Sequence, residues 1–157
     1  MQRSIEPPRR QDAEETTKIF EPTPELDRVV RKIVDGAMSV HRALGPGLLE
    51  SVYERCLVYE LEERGLAIAQ QVSAPVKYKD LTIESGLRMD LVVNDGVIVE
   101  LKSVERLLPI HEAQLLTYLR VTDKQVGLLI NFNTPRLKDG LRRMINSTAV
   151  ASWRLGG

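Results

Sequence analysis

The chain is short of cysteine, aromatic residues, net charge and long apolar runs, and each shortage narrows what it can be. One cysteine in 157 residues, Cys56, excludes an internal disulfide and fits a reducing compartment, so a cytoplasmic protein is expected. Aromatics make up only 4%, which leaves the core to aliphatic side chains. The densest apolar stretches, at 91–93, 97–99 and 126–130, are far too short to span a bilayer, and no membrane role is expected. The opening residues contain no apolar h-region, so no secretory signal is expected either. Neither an internal repeat nor a low-complexity tract is found. A cofactor loop and a nucleophile motif are also missing, which weighs against a small-molecule enzyme.

Charge is balanced, with 22 basic and 22 acidic residues. That excludes coating nucleic acid by bulk electrostatics. The balance hides an asymmetry: residues 1–100 hold 13 Lys and Arg against 18 Asp and Glu, and residues 101–157 hold 9 against 4. Arg136, Lys138, Arg142, Arg143 and Arg154 could form a local basic surface, or simply be solvated.

With 43% apolar and 28% charged residues, the composition is that of one soluble globular domain, long enough to bury a core unaided. Residues 1–24 carry Pro7, Pro8, Pro22 and Pro24 and little apolar periodicity, and read as a flexible tail that could dock a protein partner. Residues 25–157 then form a single domain. Apolar residues recur at helical spacing from Glu25 to Ala43, and Gly45-Pro46-Gly47 ends that helix. A second helix over about 48–64 is expected to turn Leu49, Val52, Tyr53, Cys56, Leu57 and Leu61 inward, with Gly65 as its stop. Strands are expected at 67–77 and 81–93 around a Lys79-Asp80 turn, and at 97–102 after Asn94-Asp95-Gly96. A helix at 110–120 and a buried strand at 125–131 follow. The segment 137–146 is ambiguous between strand and helix, and 150–155 reads as a short last strand. The pattern is that of an α/β or α+β domain.

The hairpin over 88–102 is the most informative stretch. A two-residue loop would put Asp90 and Glu100 on opposite faces. A three-residue loop, with Gly96 left-handed as a bulge, pairs Val93 with Val97. Leu91 then faces Val99 and Met89 faces Leu101, giving one apolar side. The other side pairs Val92 with Ile98, Asp90 with Glu100 and Arg88 with Lys102. The hydrophobic pattern selects this second register, because a one-residue slip would mix the faces. Two carboxylates thus stand opposite each other with Cβ atoms about 5 Å apart, and repel unless a cation lies between them. A divalent ion with hard oxygen ligands resolves the repulsion, and Mg²⁺ suits two carboxylates completed by water and phosphate. The competing reading is an exposed face carrying a cross-strand network of acids and bases.

The spacing of Asp90, Glu100 and Lys102 resembles the signature of the PD-(D/E)XK nuclease superfamily. Gly47, Glu50 and Tyr53 match the GxxExxY motif that names a small bacterial family within it. Gln114 and Tyr118 look like the QxxxY motif of the RecB-like and phage-exonuclease branch, and the contexts of Pro109–Leu115 and Gly127–Phe132 are also typical of GxxExxY proteins. The resemblance covers about residues 25–146. It implies a restriction-endonuclease-like core, a mixed four-stranded sheet flanked by helices, with the metal site at one sheet edge. Asp90 and Glu100 would ligate Mg²⁺ (or Mn²⁺), with the Leu101 carbonyl as a further ligand. Lys102 would position the attacking water and stabilise charge on the phosphate. Glu50 would face the site, and Gln114 and Tyr118, one helical turn apart, would hold the lysine or the substrate backbone. Arg88, His111, Arg136, Lys138, Arg142 and Arg143 are candidates for nucleic-acid contact. The superfamily's proline before the aspartate is Met89 here. The expected function is hydrolysis of phosphodiester bonds in nucleic acid, with DNA the expected partner. The alternative is a catalytically idle nuclease-like module that binds nucleic acid or a partner protein.

Overall fold

The computed structural model describes residues 21–147. The expected tail lies almost wholly outside the described residues; Arg154 and the expected strand at 150–155 lie wholly outside them.

Helix α1 spans Pro24–Leu44. Thr23 caps it by accepting the Leu26 N–H, Pro24 occupies the first turn, and Glu25 and Asp27 complement the positive end of the dipole. Its buried stripe runs through Val29, Val30, Ile33, Ala37 and Val40. The helix stops at Gly45, whose φ of 69° suits glycine. Helix α2, Glu50–Glu63, buries Tyr53, Leu57, Val58 and Leu61. The expected inward set is corrected at two positions. Leu49 precedes the helix as its cap and is 73% exposed, and Val52 turns away from the core at 38%. Cys56 is half-buried at the core's margin.

Strand β1 (Ile68–Tyr78) pairs antiparallel with β2 (Leu81–Val93), and β2 with β3 (Val97–Lys102). Helix α3 (Pro109–Thr122) carries the chain across to β4 (Val126–Asn131), which lies parallel to β3. A 3-10 turn, Leu137–Gly140, leads into β5 (Leu141–Ile145), antiparallel to β4. The ambiguous segment 137–146 therefore resolves into both kinds of structure. The sheet is mixed and five-stranded, in the order β1-β2-β3-β4-β5, one strand more than the expected four.

One face of the sheet, with Leu91, Val93, Val99, Leu101, Leu128 and Ile130, packs beneath α1 and α2. The other, with Val92, Ile98 and Leu129, packs against Leu115 and Leu119 of α3. Charged β3 side chains can face this second layer only near the strand's end, where α3 begins.

The β2–β3 register is the expected one, with Leu91, Val92 and Val93 opposite Val99, Ile98 and Val97. The turn differs in detail. Asn94 and Asp95, not Gly96, take the left-handed conformation, at φ 49° and 53°. Gly96 N–H donates to the Val93 carbonyl, closing a turn of type I′ character. A Cβ at Gly96 would lie 2.8 Å from the Cδ2 tip of Leu26 in α1, which would have to shift.

A second difference lies at Asp90. Gln70 pairs with Leu91 and Val72 with Met89, and the intervening Gln71 has a left-handed φ of 49°. The two strands bend together there and reverse their facing. Met89 consequently joins the α3-side cluster instead of lying opposite Leu101, which packs on the α1–α2 side. The expected all-apolar side of the hairpin is corrected to that extent.

Candidate active site

The main-chain ladder between β2 and β3 ends at Leu91 and Val99. Beyond it, carboxylates take over its bonds. Leu101 N–H donates to Asp90 Oδ2 at 2.9 Å, and Asp90 N–H donates to Glu100 Oε1 at 3.1 Å. The bend at Asp90 parts the strands and frees these amides, and the two acids become reciprocally anchored. Asp90 and Glu100 thus meet as expected, at the fork between two inner strands. The expected location at a sheet edge is corrected, because β3 is the central strand.

Glu100 is 4% exposed. Burial, then the Asp90 charge, push its carboxyl up to about 8. The bond from the Asp90 amide opposes the rise, a side-chain hydrogen bond with Asp90 adds to it, and the Lys102 charge opposes it more weakly. In the metal-free protein the Asp90–Glu100 pair therefore holds a proton more tightly than ordinary carboxylates do. Glu50 opens α2 and is exposed by area. Enough protein surrounds its carboxyl for desolvation to lead the causes raising its pKa, followed by repulsion from Asp90 and opposed by Lys102. The three acids and the lysine share one electrostatic environment.

Lys102 lies with His111, Gln114 and Tyr118 of α3 along a cleft of about 440 Å³. Gln114 Nε2 donates to Tyr118 Oη at 3.2 Å. Desolvation and the Glu100 and Asp90 charges raise the Tyr118 pKa, while Arg88 and the Gln114 bond lower it. His111 Nδ1 accepts the Leu108 N–H and so closes the first turn of α3. Leu101 is fully buried and gives its amide to Asp90, so only its carbonyl remains for a ligand.

The basic candidates separate. Arg88 lies close enough to Tyr118 for its charge to lower that pKa, and Arg142 pairs with Glu112 of α3 at 3.5 Å. Arg143 bonds Asp27 of α1 at 2.6 Å. Arg136 and Lys138 flank a different pocket, at the end of α1.

Tyr53 is entirely buried, stacked on Phe132 with centroids 4.6 Å apart. Its hydroxyl donates to the Gly45 carbonyl and accepts the Leu48 N–H, fixing the loop that leads to Glu50. Two residues given no role by the sequence finish the frame. Ser103 Oγ donates to the Leu48 carbonyl, tying the residue after Lys102 to that same loop. Asn131, opposite Lys102 in β4 and buried, accepts from Val104 and Asn133 and donates to the Val104 carbonyl. Its place in the Gly127–Phe132 context, at the end of an apolar run, is the signal that could have singled it out.

Among the described residues no three His, Cys, Asp or Glu side chains converge closely enough to cage a metal. The donor set still fits a hard divalent ion: two adjacent carboxylates, one of them buried, share a proton that such an ion would replace. The remaining ligands would come from main chain, water and substrate.

A family model described as the PD-(D/E)XK nuclease superfamily matches residues 27–144, and the chain belongs to that superfamily. No curated protein and no solved structure gives a match. Among the described residues no helix is long and apolar enough to cross a membrane.

Proposed function

We propose that the protein is a metal-dependent nuclease, with Mg²⁺ as its ion and Mn²⁺ as a substitute, that hydrolyses phosphodiester bonds in DNA. The reading also takes it for a GxxExxY protein of the cytoplasm. The observation that carries it is the Asp90–Glu100 pair, joined by reciprocal bonds and close to Lys102, which lines a cleft with Gln114 and Tyr118.

Asp90 and Glu100 would hold the ion, with the Leu101 carbonyl as a third donor. When bound, the ion supplies Lewis-acid charge at the scissile phosphate and lowers the pKa of a water. Lys102 orients the attacking water and offers positive charge where the phosphorane develops negative charge. Glu50 would bind the ion directly or through water. Gln114 and Tyr118, joined by their own hydrogen bond, orient the substrate backbone along the cleft. Arg88, His111 and Arg142 flank the approach.

Labelled single- and double-stranded DNA and RNA, incubated with Mg²⁺ or Mn²⁺, test the reading. Asp90→Asn and Lys102→Ala should each slow cleavage by about a hundred-fold or more, with far-ultraviolet circular dichroism unchanged. Cleavage that survives in either purified variant overturns the assignment. Wild type that folds, binds nucleic acid without metal and never cuts supports the idle-module reading instead.

A further inference from the structure

We propose that the pocket between the end of α1 and the 3-10 turn is a second site for the phosphodiester backbone, separate from the acid pair. The proposal rests on the nuclease-fold reading for its choice of strand, though its geometry stands alone. The pocket holds about 480 Å³, inside the range of roughly 300–1,000 Å³ typical of ligand sites. Arg42 reaches it from α1, and Arg136 and Lys138 from the segment after β4. No acidic side chain lines it.

Two of the three cations lack a counter-charge. Arg42 and Lys138 have no ion-pair partner among the described residues. Arg136 has only a loose contact with Asp139, at 3.8 Å between side chains 66% and 60% exposed, which solvent largely screens. Elsewhere on the basic C-terminal third, Arg142 and Arg143 are paired to Glu112 and Asp27. The pocket thus gathers three cations on two segments with no acidic side chain in its lining.

The pocket is also built. His41, buried in α1, bonds the Thr134 carbonyl at 2.7 Å and ties the helix end to the segment carrying Arg136 and Lys138. The fold therefore holds together the two segments that carry the three cations. Gly45 and Pro46 form part of the wall, and the loop they begin leads through Leu48, bonded to Ser103 beside Lys102, to Glu50. One rigid loop joins the pocket to the candidate active site, so a strand held at Arg42, Arg136 and Lys138 would lie across that loop.

The test is fluorescence anisotropy with labelled single-stranded and duplex DNA, in EDTA, over a salt series. Wild type is compared with Arg42→Gln/Arg136→Gln/Lys138→Gln and with Arg28→Gln/Arg31→Gln/Lys32→Gln, which removes the same charge from the exposed first half of α1. The pocket variant should bind at least ten-fold more weakly and lose about 2–3 from the slope of log K against log salt. The control should keep most of both. An unchanged slope in the pocket variant, or an equal loss in the control, overturns the proposal. Inorganic phosphate that competes only far above the DNA concentration supports a strand site; phosphate binding with no affinity for either DNA overturns it. Asp90→Asn/Glu100→Gln should retain the wild-type slope. If the pocket variant loses binding while wild type never cleaves, the nuclease reading fails and the strand site stands. If wild type cleaves and the pocket variant binds unchanged, the reverse holds.

Discussion

Of the acids near the cleft, Glu100 stands furthest from its ordinary titration range. Its carboxyl is raised from 4.5 to about 8 by burial and by Asp90. The folded state thus binds this proton more tightly than the unfolded chain does, and the sign of the linkage follows. Its contribution to stability is complete below about pH 4.5 and is lost as pH rises through about 8. Glu100→Gln keeps an oxygen for the Asp90 amide and cannot ionise. Thermal melts of the metal-free protein from about pH 5 to about pH 9 should show wild type losing stability relative to the variant as pH rises. A difference between the two that does not vary with pH would mean that Glu100 is not the group frustrated by Asp90. The same residue shows what the sequence could and could not say. Hydrophobic alternation fixed its partner, because only one register kept Leu91, Val93, Val97 and Val99 together. Its reciprocal amide bonds depend on the bend at Gln71 and Asp90, and no local pattern marks that bend.

Each element near the cleft is held by a contact with little leeway. Gly127 of β4 lies under α3, where a Cβ would meet Leu115 at 2.8–3.1 Å. Gly127→Val should therefore push α3 away from the sheet, costing about 1–3 kcal/mol as an overpacked core does. Because Gln114 and Tyr118 ride on α3, cleavage should fall further than stability alone explains. Chemical denaturation and cleavage assays on one preparation would separate the two effects, and a variant as active as wild type would show the seating of α3 to be immaterial. At the other wall, Tyr53→Phe removes the hydroxyl that bridges Gly45 and Leu48. The ring would still stack on Phe132, so a loss of about 1–3 kcal/mol from stranded polar partners is expected in denaturant. A loss under half a kcal/mol would show that water replaces the hydroxyl. Element boundaries were legible because turns and breakers are local: Gly45-Pro46-Gly47, Gly65 and Asn94-Asp95-Gly96 all act within a few residues. The fifth strand was not. β5 is only Leu141–Ile145, with Arg142 and Arg143 inside it, and its pairing to β4 is a tertiary fact. The inward face of α2 was misjudged for a related reason. Leu49 and Val52 continue the apolar stripe, but the stacking of Tyr53 on Phe132 sets the helix's rotation.

At the scale of the molecule, two helices clamp one face of a mixed sheet, one helix covers part of the other, and the acid pair sits where the central strands part. That layout leaves an unbalanced pair of acids close to the core in the absence of metal. A divalent ion would replace the proton on Glu100 and add its binding energy to folding. Stabilisation follows RT ln(1 + [L]/Kd), about 2.7 kcal/mol at a hundred times Kd. The melting temperature should rise with Mg²⁺ or Mn²⁺, and the rise should be larger above about pH 8 than at about pH 6, where the ion must displace the Glu100 proton. Calorimetry in buffers of different ionisation enthalpy should detect release of up to about one proton per ion at the lower pH. Asp90→Asn/Glu100→Gln should abolish both the thermal shift and the proton release. A shift that persists in the double variant would place the ion elsewhere on the protein. Wild type that shows no shift would leave one further arm, the same titration in the presence of a DNA strand. There the substrate phosphate completes the coordination that two carboxylates begin, and a shift appearing only then would make metal and substrate binding a single coupled event.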